Sequence, residues 1–332
     1  MVEWWGKHDG VGFPHVVLAQ QFEREHLEKL FKLTLIMKKT IKEKKKVNLL
    51  NGNIIASLFY EPSTRTRFSF ETAAIRLGAD RISSENAAQF SSAIKGETLK
   101  DTIRIISDKA DVIVIRHKQT GSAAEATAVT GCVPIINGGD GTGQHPTQSL
   151  LDVFTIQEHF GSIDSLKVAM VGDLKRGRTV HSLAYLLSKF PGVEIIFVAP
   201  PCAQMKQEIK DHLDENKVKW SEGNNLLEVA KTADVIYMTR YQLERAESNE
   251  EKVELESAGK AHIMNRVIAN LMPEKSIILH PLPRVEEIRW SVDSNPRARY
   301  FEQAANGDYV RMALLLAILN PAKAKELLAQ AG

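Results

Sequence analysis

The feature that most constrains this chain is an alternation. Short apolar runs at Ile54–Phe59, Asp111–Arg116, Val133–Asn137, Lys167–Val171, Glu194–Val198, Asp234–Met238 and Ser276–Leu279 suit buried strands. Helical stretches lie among them: 20–46, with Leu27, Leu30, Phe31 and Thr34 on one face, then Phe68–Leu77, Thr147–Phe160, Thr179–Lys189, Ala203–Leu213 and roughly Tyr309–Leu319. Gly78 takes the C-cap role after Leu77. Strands alternating with helices of this size indicate βαβ units and parallel sheets. A length of 332 residues suits about two domains, and the pattern restarts near Phe160–Leu166. The expectation is an α/β chain of two doubly wound domains, with the active site between them.

Charge and cysteine content remove several function classes. Lys plus Arg is 43 and Asp plus Glu is 41, so the net charge of +2 argues against a nucleic-acid binder. No run approaches the ~20 apolar residues of a membrane span, and Met1–Pro14 has no apolar core of a signal peptide. Cys132 and Cys202 cannot build a disulfide framework. They read as buried small residues in a reducing compartment, and a cytoplasmic location is expected. The lysines at 38, 39, 42 and 44–46 suit a solvated helix C-terminus, with an acidic partner as the alternative.

Ligands of open parallel sheets bind outside the carboxyl ends of the strands, so the segments after each strand carry the functional argument. After Phe59 comes Glu61-Pro62-Ser63-Thr64-Arg65-Thr66-Arg67, hydroxyls and arginines packed where a helix begins. Helix N–H groups, the hydroxyls of Ser63, Thr64, Thr66 and Ser69, and a bidentate guanidinium would hold a phosphate. A capped helix with surface arginines is the alternative. Arg116 ends an apolar run, with an ordinary strand-end residue as the alternative, and a glycine-rich loop from Gly138 leads to His145-Pro146-Thr147-Gln148, where His145 is a candidate to polarise a carbonyl and a structural histidine is the alternative.

Gly172-Asp173-Leu174-Lys175-Arg176-Gly177-Arg178-Thr179 nearly matches a P-loop, but Arg178 stands where the lysine belongs. Anion binding by Arg178 is favoured over a nucleotide site. Arg240 follows another strand, and His280-Pro281-Leu282-Pro283-Arg284 forms a rigid loop after Leu279. No metal cluster and no nucleophile motif is present in the sequence. The implied site is one of convergent cations and hydrogen-bond donors, with no metal and no cofactor.

Ser63-Thr64-Arg65-Thr66-Arg67 resembles the carbamoyl-phosphate loop of the carbamoyltransferases, and His145-Pro146-Thr147-Gln148 resembles their His-Pro-x-Gln segment. His280-Pro281-Leu282-Pro283-Arg284, Ser91–Thr98 and Thr239-Arg240-Tyr241-Gln242 resemble the aspartate branch of that family. The ornithine branch carries a Cys in the proline loop and a Ser-Met-Gly motif, and both are missing. The resemblance spans roughly residues 15–320. It implies transfer of the carbamoyl group of carbamoyl phosphate to the α-amine of L-aspartate, giving N-carbamoyl-L-aspartate and phosphate, in de novo pyrimidine biosynthesis.

The resemblance further implies roles for individual residues. Arg65, Thr66, Arg116, His145 and Gln148 would bind carbamoyl phosphate, with Ser63 and Thr64 in the phosphate cradle and Leu282 and Pro283 lining the carbamoyl pocket. Arg178, Thr179, Arg240 and Gln242 would hold aspartate together with Lys95. Arg65, Thr66, Lys95, Arg116 and His145 would form the catalytic set. Ser91 and Lys95 would come from a neighbouring subunit of a homotrimer, which regulatory chains or dihydroorotase could join. The expected domains are 1–150 for carbamoyl phosphate, with a C-terminal helix 302–332 packing back on it, and 151–301 for aspartate. The rivals are a carbamoyltransferase for another amine such as ornithine, a catalytically dead scaffold, and a P-loop nucleotide binder.

Overall fold

The computed structural model describes residues 14–43, 47–85 and 96–331. The chain divides into two compact units, one of residues up to Leu150 together with those from Asn306, the other Leu151–Ala305. The first unit holds β1 (Ile54–Phe59), β2 (Asp80–Glu85), β3 (Val112–His117) and β4 (Ile135–Asp140) in the order β2-β1-β3-β4. The second holds β5 (Lys167–Val171), β6 (Glu194–Val198), β7 (Lys219–Gly223), β8 (Val235–Met238) and β9 (Ile277–Leu279) in the order β7-β6-β5-β8-β9. Every pairing in both sheets is parallel. The fold is thus two parallel-sheet α/β units.

Inner strands are near-continuous apolar runs because helices cover both faces of a parallel sheet. Ile113, Val114, Ile136, Val168, Ala169 and Met170 are fully buried. The two sheet edges differ: β2 (DRISSE) and β7 (KWSEG) are polar and largely exposed. Neither was expected from periodicity, because an edge strand needs little apolar surface and is protected by charge. The helices Asn249–Ala261 and Arg266–Leu271 were likewise missed, and Ala203–Leu213 resolves into a 3₁₀ turn (Pro201–Ala203) and a helix (Gln207–Glu215).

The helix Arg24–Lys42 buries Leu27, Leu30, Phe31 and Met37. Lys38 is not merely solvated, since its Nζ donates to Asn306 Oδ1 at 2.9 Å. The last segment of the chain is bonded into the first unit at several points. Ser69 donates to Asp308 (2.7 Å) and accepts from Arg311 (2.8 Å), while Asn320 donates to the Leu49 carbonyl (3.3 Å). In the second unit, buried Asp152 accepts from Tyr237 (2.8 Å) and Gln303 (2.6 Å), so both carboxyl oxygens are hydrogen-bonded rather than left bare.

Candidate active site

The strand orders place two topological switch points, where successive connections leave in opposite directions and a crevice opens at the carboxyl ends. In the first unit the switch lies between β1 and β3, and Phe59 pairs with Arg116 at its end. In the second it lies between β5 and β8, where Val171 pairs with Met238. Arg116 lies at the end of β3 itself, and the segments that follow β1, β5 and β8 carry Arg65, Arg178 and Arg240.

At the first switch point the helix runs Thr64–Leu77, so Arg65 and Thr66 lie in its first turn rather than in a preceding loop. Ser63 is the N-cap residue but its side chain makes no capping bond. The helices beginning at Leu99, Leu226, Asn249, Arg266 and Pro321 are, by contrast, each closed by their own Thr, Ser or Asn oxygen. The first-turn N–H groups of Thr64–Leu77 therefore remain available to an anion. The arginines of this turn divide their work. Arg67 pairs with Glu85 (2.8 Å) and Glu71 (3.6 Å), tying the helix to β2. Exposed Arg65 has no hydrogen-bond or ion-pair partner among the described residues. Ser69, counted above among the anion-binding hydroxyls, is instead committed to Asp308 and Arg311.

Arg116 lies within β3, with Nη1 donating to the Gly138 carbonyl (3.2 Å) and Nε 3.6 Å from Glu61. The glycine-rich loop after β4 is built by buried polar groups. Asn137 donates to Asp140 (3.1 Å) and accepts from the Gly139 N–H (2.8 Å), and Asp140 accepts from the N–H groups of Gln144 (2.9 Å) and Gly121 (2.7 Å). Gln144 in turn accepts from the Ala19 N–H (2.7 Å) and donates to Gln20 (2.6 Å), bracing the loop with the preceding chain. His145 emerges buried, its Nε2 3.4 Å from Thr66 Oγ1 and its Nδ1 3.4 Å from Thr147 Oγ1. The loops after β1 and β4 are thereby brought together, with Gln148 buried one turn further along.

At the second switch point Gly172 and Thr239 are in close approach: a Cβ on Gly172 would lie 2.3 Å from the Thr239 carbonyl oxygen, at φ +125°. Arg178 and Thr179 open the helix Arg178–Leu187, whose N-cap is Gly177. Arg240 forms a fork with Glu244, one arm at 3.1 Å, which raises the guanidinium and lowers the carboxyl relative to their ordinary values. Asp173, fully buried, accepts from the backbone N–H groups of Arg176 (3.1 Å) and Gln242 (3.3 Å). Burial pushes its carboxyl up, opposed by Arg176. Arg176 also pairs with Glu251 at 2.5 Å, and Glu251 falls to about 2 through the Glu247 N–H and the Arg176 bond. The loops after β5 and β8 thus share one charged lattice.

The proline loop is held by His280. Its Nδ1 accepts from the Leu282 N–H (2.7 Å), so its Nε2 carries the proton and donates to Glu287 (2.7 Å). Leu282 has φ +55° and precedes a cis Pro283. Arg284 is occupied by Asp293 and by Tyr300 Oη (2.9 Å). Ser91 and Lys95 lie outside the described residues. Among the described residues no cluster of metal-ligating side chains occurs. Cys132 is exposed and Cys202 half-exposed, against the expectation of burial, because each sits in a turn rather than in a sheet or helix core. Glu244, Asp173 and Glu251 escaped the reading that looked for cations; Glu244, four residues after Arg240, was accessible through i,i+4 spacing.

Comparison with known proteins matches two family models: the aspartate/ornithine carbamoyltransferase carbamoyl-P binding domain over residues 14–158 and the Asp/Orn binding domain over 164–318. The chain is 50% identical over 305 residues to the chloroplastic aspartate carbamoyltransferase of Arabidopsis thaliana, covering 92% of this chain and 77% of that one. Aspartate transcarbamoylase of Trypanosoma cruzi in complex with N-(phosphonacetyl)-L-aspartic acid superposes with TM-score 0.89 at 38% identity, covering 93% of this chain and 97% of that one. The catalytic subunit of M. jannaschii aspartate transcarbamoylase gives 0.85 at 42% identity, covering 94% and 99%. Relatives from Arabidopsis thaliana, Pisum sativum and Oryza sativa are chloroplastic enzymes, which overturns the cytoplasmic expectation. Cysteine usage reports redox conditions, and those are shared by more than one compartment. By both domain matches and by its identity to these relatives, the chain belongs to the aspartate/ornithine carbamoyltransferase family.

Proposed function

We propose that this chain transfers the carbamoyl group of carbamoyl phosphate to the α-amine of L-aspartate, a step of pyrimidine synthesis. The observation that carries the reading is the placement of one arginine pair at each switch point, Arg65 with Arg116 and Arg178 with Arg240. Related structures contain carbamoyl phosphate with aspartate, and aspartate with phosphate. The first unit takes carbamoyl phosphate. Arg65 forks onto the phosphate with the N–H and hydroxyl groups of Ser63, Thr64 and Thr66, while Arg116, His145 and Gln148 face the carbamoyl group, and Leu282 and Pro283 are assigned to carbamoyl phosphate as well. The second unit takes aspartate on Arg178, Thr179, Arg240 and Gln242.

The amine nitrogen attacks the carbamoyl carbon, a C–N bond forms, the C–O bond to phosphorus breaks, and phosphate leaves with the amine proton. Negative charge grows on the carbamoyl oxygen and the departing phosphate. Donors already aimed there stabilise it, each worth about 2.7–4 kcal/mol in a dry site. Arg240 must exchange Glu244 for a substrate carboxylate. That exchange is cheap, because an exposed ion pair contributes only ~0–1 kcal/mol. The working form is a homotrimer in which Ser91 and Lys95 serve a neighbouring copy's site.

The direct test is a carbamoylation assay with aspartate and ornithine offered in turn, alongside thermal shift with phosphonacetyl-aspartate, ornithine and ATP. Turnover of aspartate and a large shift with the analogue alone support the reading. Turnover of ornithine, or a shift with ATP, replaces it.

A further inference from the structure

We propose that Tyr241 is a positioning residue for the amino-acid substrate, acting through His262. The proposal rests on the functional reading above, since it assigns Arg240 and Gln242, the neighbours of Tyr241, to that substrate. Those neighbours sit in a segment without regular structure, so something other than strand pairing must hold them. The segment is held at its two ends by the switch-point partners: Thr239 N donates to the Val171 carbonyl at 2.7 Å, and Gln242 N to Asp173 at 3.3 Å. Between these ends Arg240 bonds Glu244 within the same loop, and Tyr241 reaches out of the loop to His262. The Tyr241 hydroxyl is 2.6 Å from Nδ1 of His262, and the two rings lie end to end through that bond, their centroids 6.2 Å apart and their planes 26° from parallel.

His262 is a rigid anchor. It is 2% exposed, it caps the helix Asn249–Ala261, and its N–H donates to the Ala258 carbonyl at 2.9 Å. Its Nε2 lies 3.1 Å from the Asn224 carbonyl oxygen, which can only accept. Nε2 therefore carries the ring proton, Nδ1 is bare, and Tyr241 must be the donor. The direction of the bond is set by a backbone carbonyl, so it has a single arrangement. The Tyr241 ring also lies against Gly259, where a Cβ would stand 3.4 Å from Tyr241 Cδ2. Hydrogen bond and glycine contact together fix one side-chain position, and with it the backbone from which Arg240 and Gln242 project.

The test separates positioning from mere stability. Tyr241→Phe keeps the ring and removes the donor. His262→Gln keeps an amide donor near the Nε2 position and removes the acceptor, whereas His262→Asn places an amide oxygen near the Nδ1 position. The expected result is a KM for aspartate raised about five- to tenfold in Y241F and H262Q, with carbamoyl-phosphate KM and kcat changed less than about threefold, and H262N close to wild type. Thermal melts identify any variant that does not fold; the His262 pair then decides without Y241F, or Y241F without the pair. Aspartate KM within about twofold of wild type in the folded variants, equal loss toward both substrates, or H262N as impaired as H262Q overturns the proposal. If wild-type protein carbamoylates a different amine, the functional reading fails and the same comparison is made on that amine's KM.

Discussion

Arg65 and Arg67 stand in the same helical turn and do different jobs. Arg67 is committed to Glu71 and Glu85, whereas Arg65 has no such partner among the described residues. Arg65→Ala should therefore lower kcat at least 10²–10³-fold with an unchanged melting temperature, read by steady-state assay and calorimetry. Near wild-type turnover would remove Arg65 from the phosphate site. Arg240→Ala should raise the KM for aspartate with carbamoyl-phosphate KM unchanged, and the reverse pattern would exchange the assigned roles. At this scale the sequence was most legible for cations: arginines after strands are visible as a pattern. Which arginine is neutralised by a carboxylate is not, because Glu85 is distant in sequence and Asp173 and Glu251 act through buried bonds that no motif records.

Strands proved legible in proportion to their burial. β5 and β6 match their apolar runs residue for residue, and β1 likewise, since both faces of an inner parallel strand demand apolar side chains. β2 and β7 carry no such demand and were invisible. The helix at Thr64 was placed four residues late because its first turn is polar, which is also why it is suited to an anion. Two predictions belong here. Gly172→Ala should destabilise the protein by about 2 kcal/mol or more, since its Cβ would meet the Thr239 carbonyl at 2.3 Å with φ +125°. Gly161→Ala, at φ +78° with open space around it, should cost only about 1 kcal/mol. Equal melting temperatures for the two would discredit the close approach of Gly172 and Thr239.

The Glu251 lattice gives an acid dependence. Its folded value of about 2 lies below the ordinary 4.5, so its stabilising contribution is complete above about 4.5 and is lost as pH falls toward 2. Glu251→Gln should flatten that part of the melting-temperature curve, and an unaltered acid limb would show that the Arg176 pair is not formed in solution.

For the whole molecule, a homotrimer with shared sites predicts a solution mass near three times 37.0 kDa by light scattering. It also predicts that inactive Lys95→Ala and Arg65→Ala chains recover partial activity when reassembled together. A monomer, or mixed trimers without activity, would end the shared-site proposal. The order of the two units along the chain has a consequence for synthesis. Unit two is a continuous stretch, Leu151–Ala305, whereas unit one needs residues from both before and after it. On a ribosome the inserted unit has its whole sequence first. The earlier-made unit must wait, its Ser69 and Leu49 partners still untranslated, until Asp308, Arg311 and Asn320 emerge.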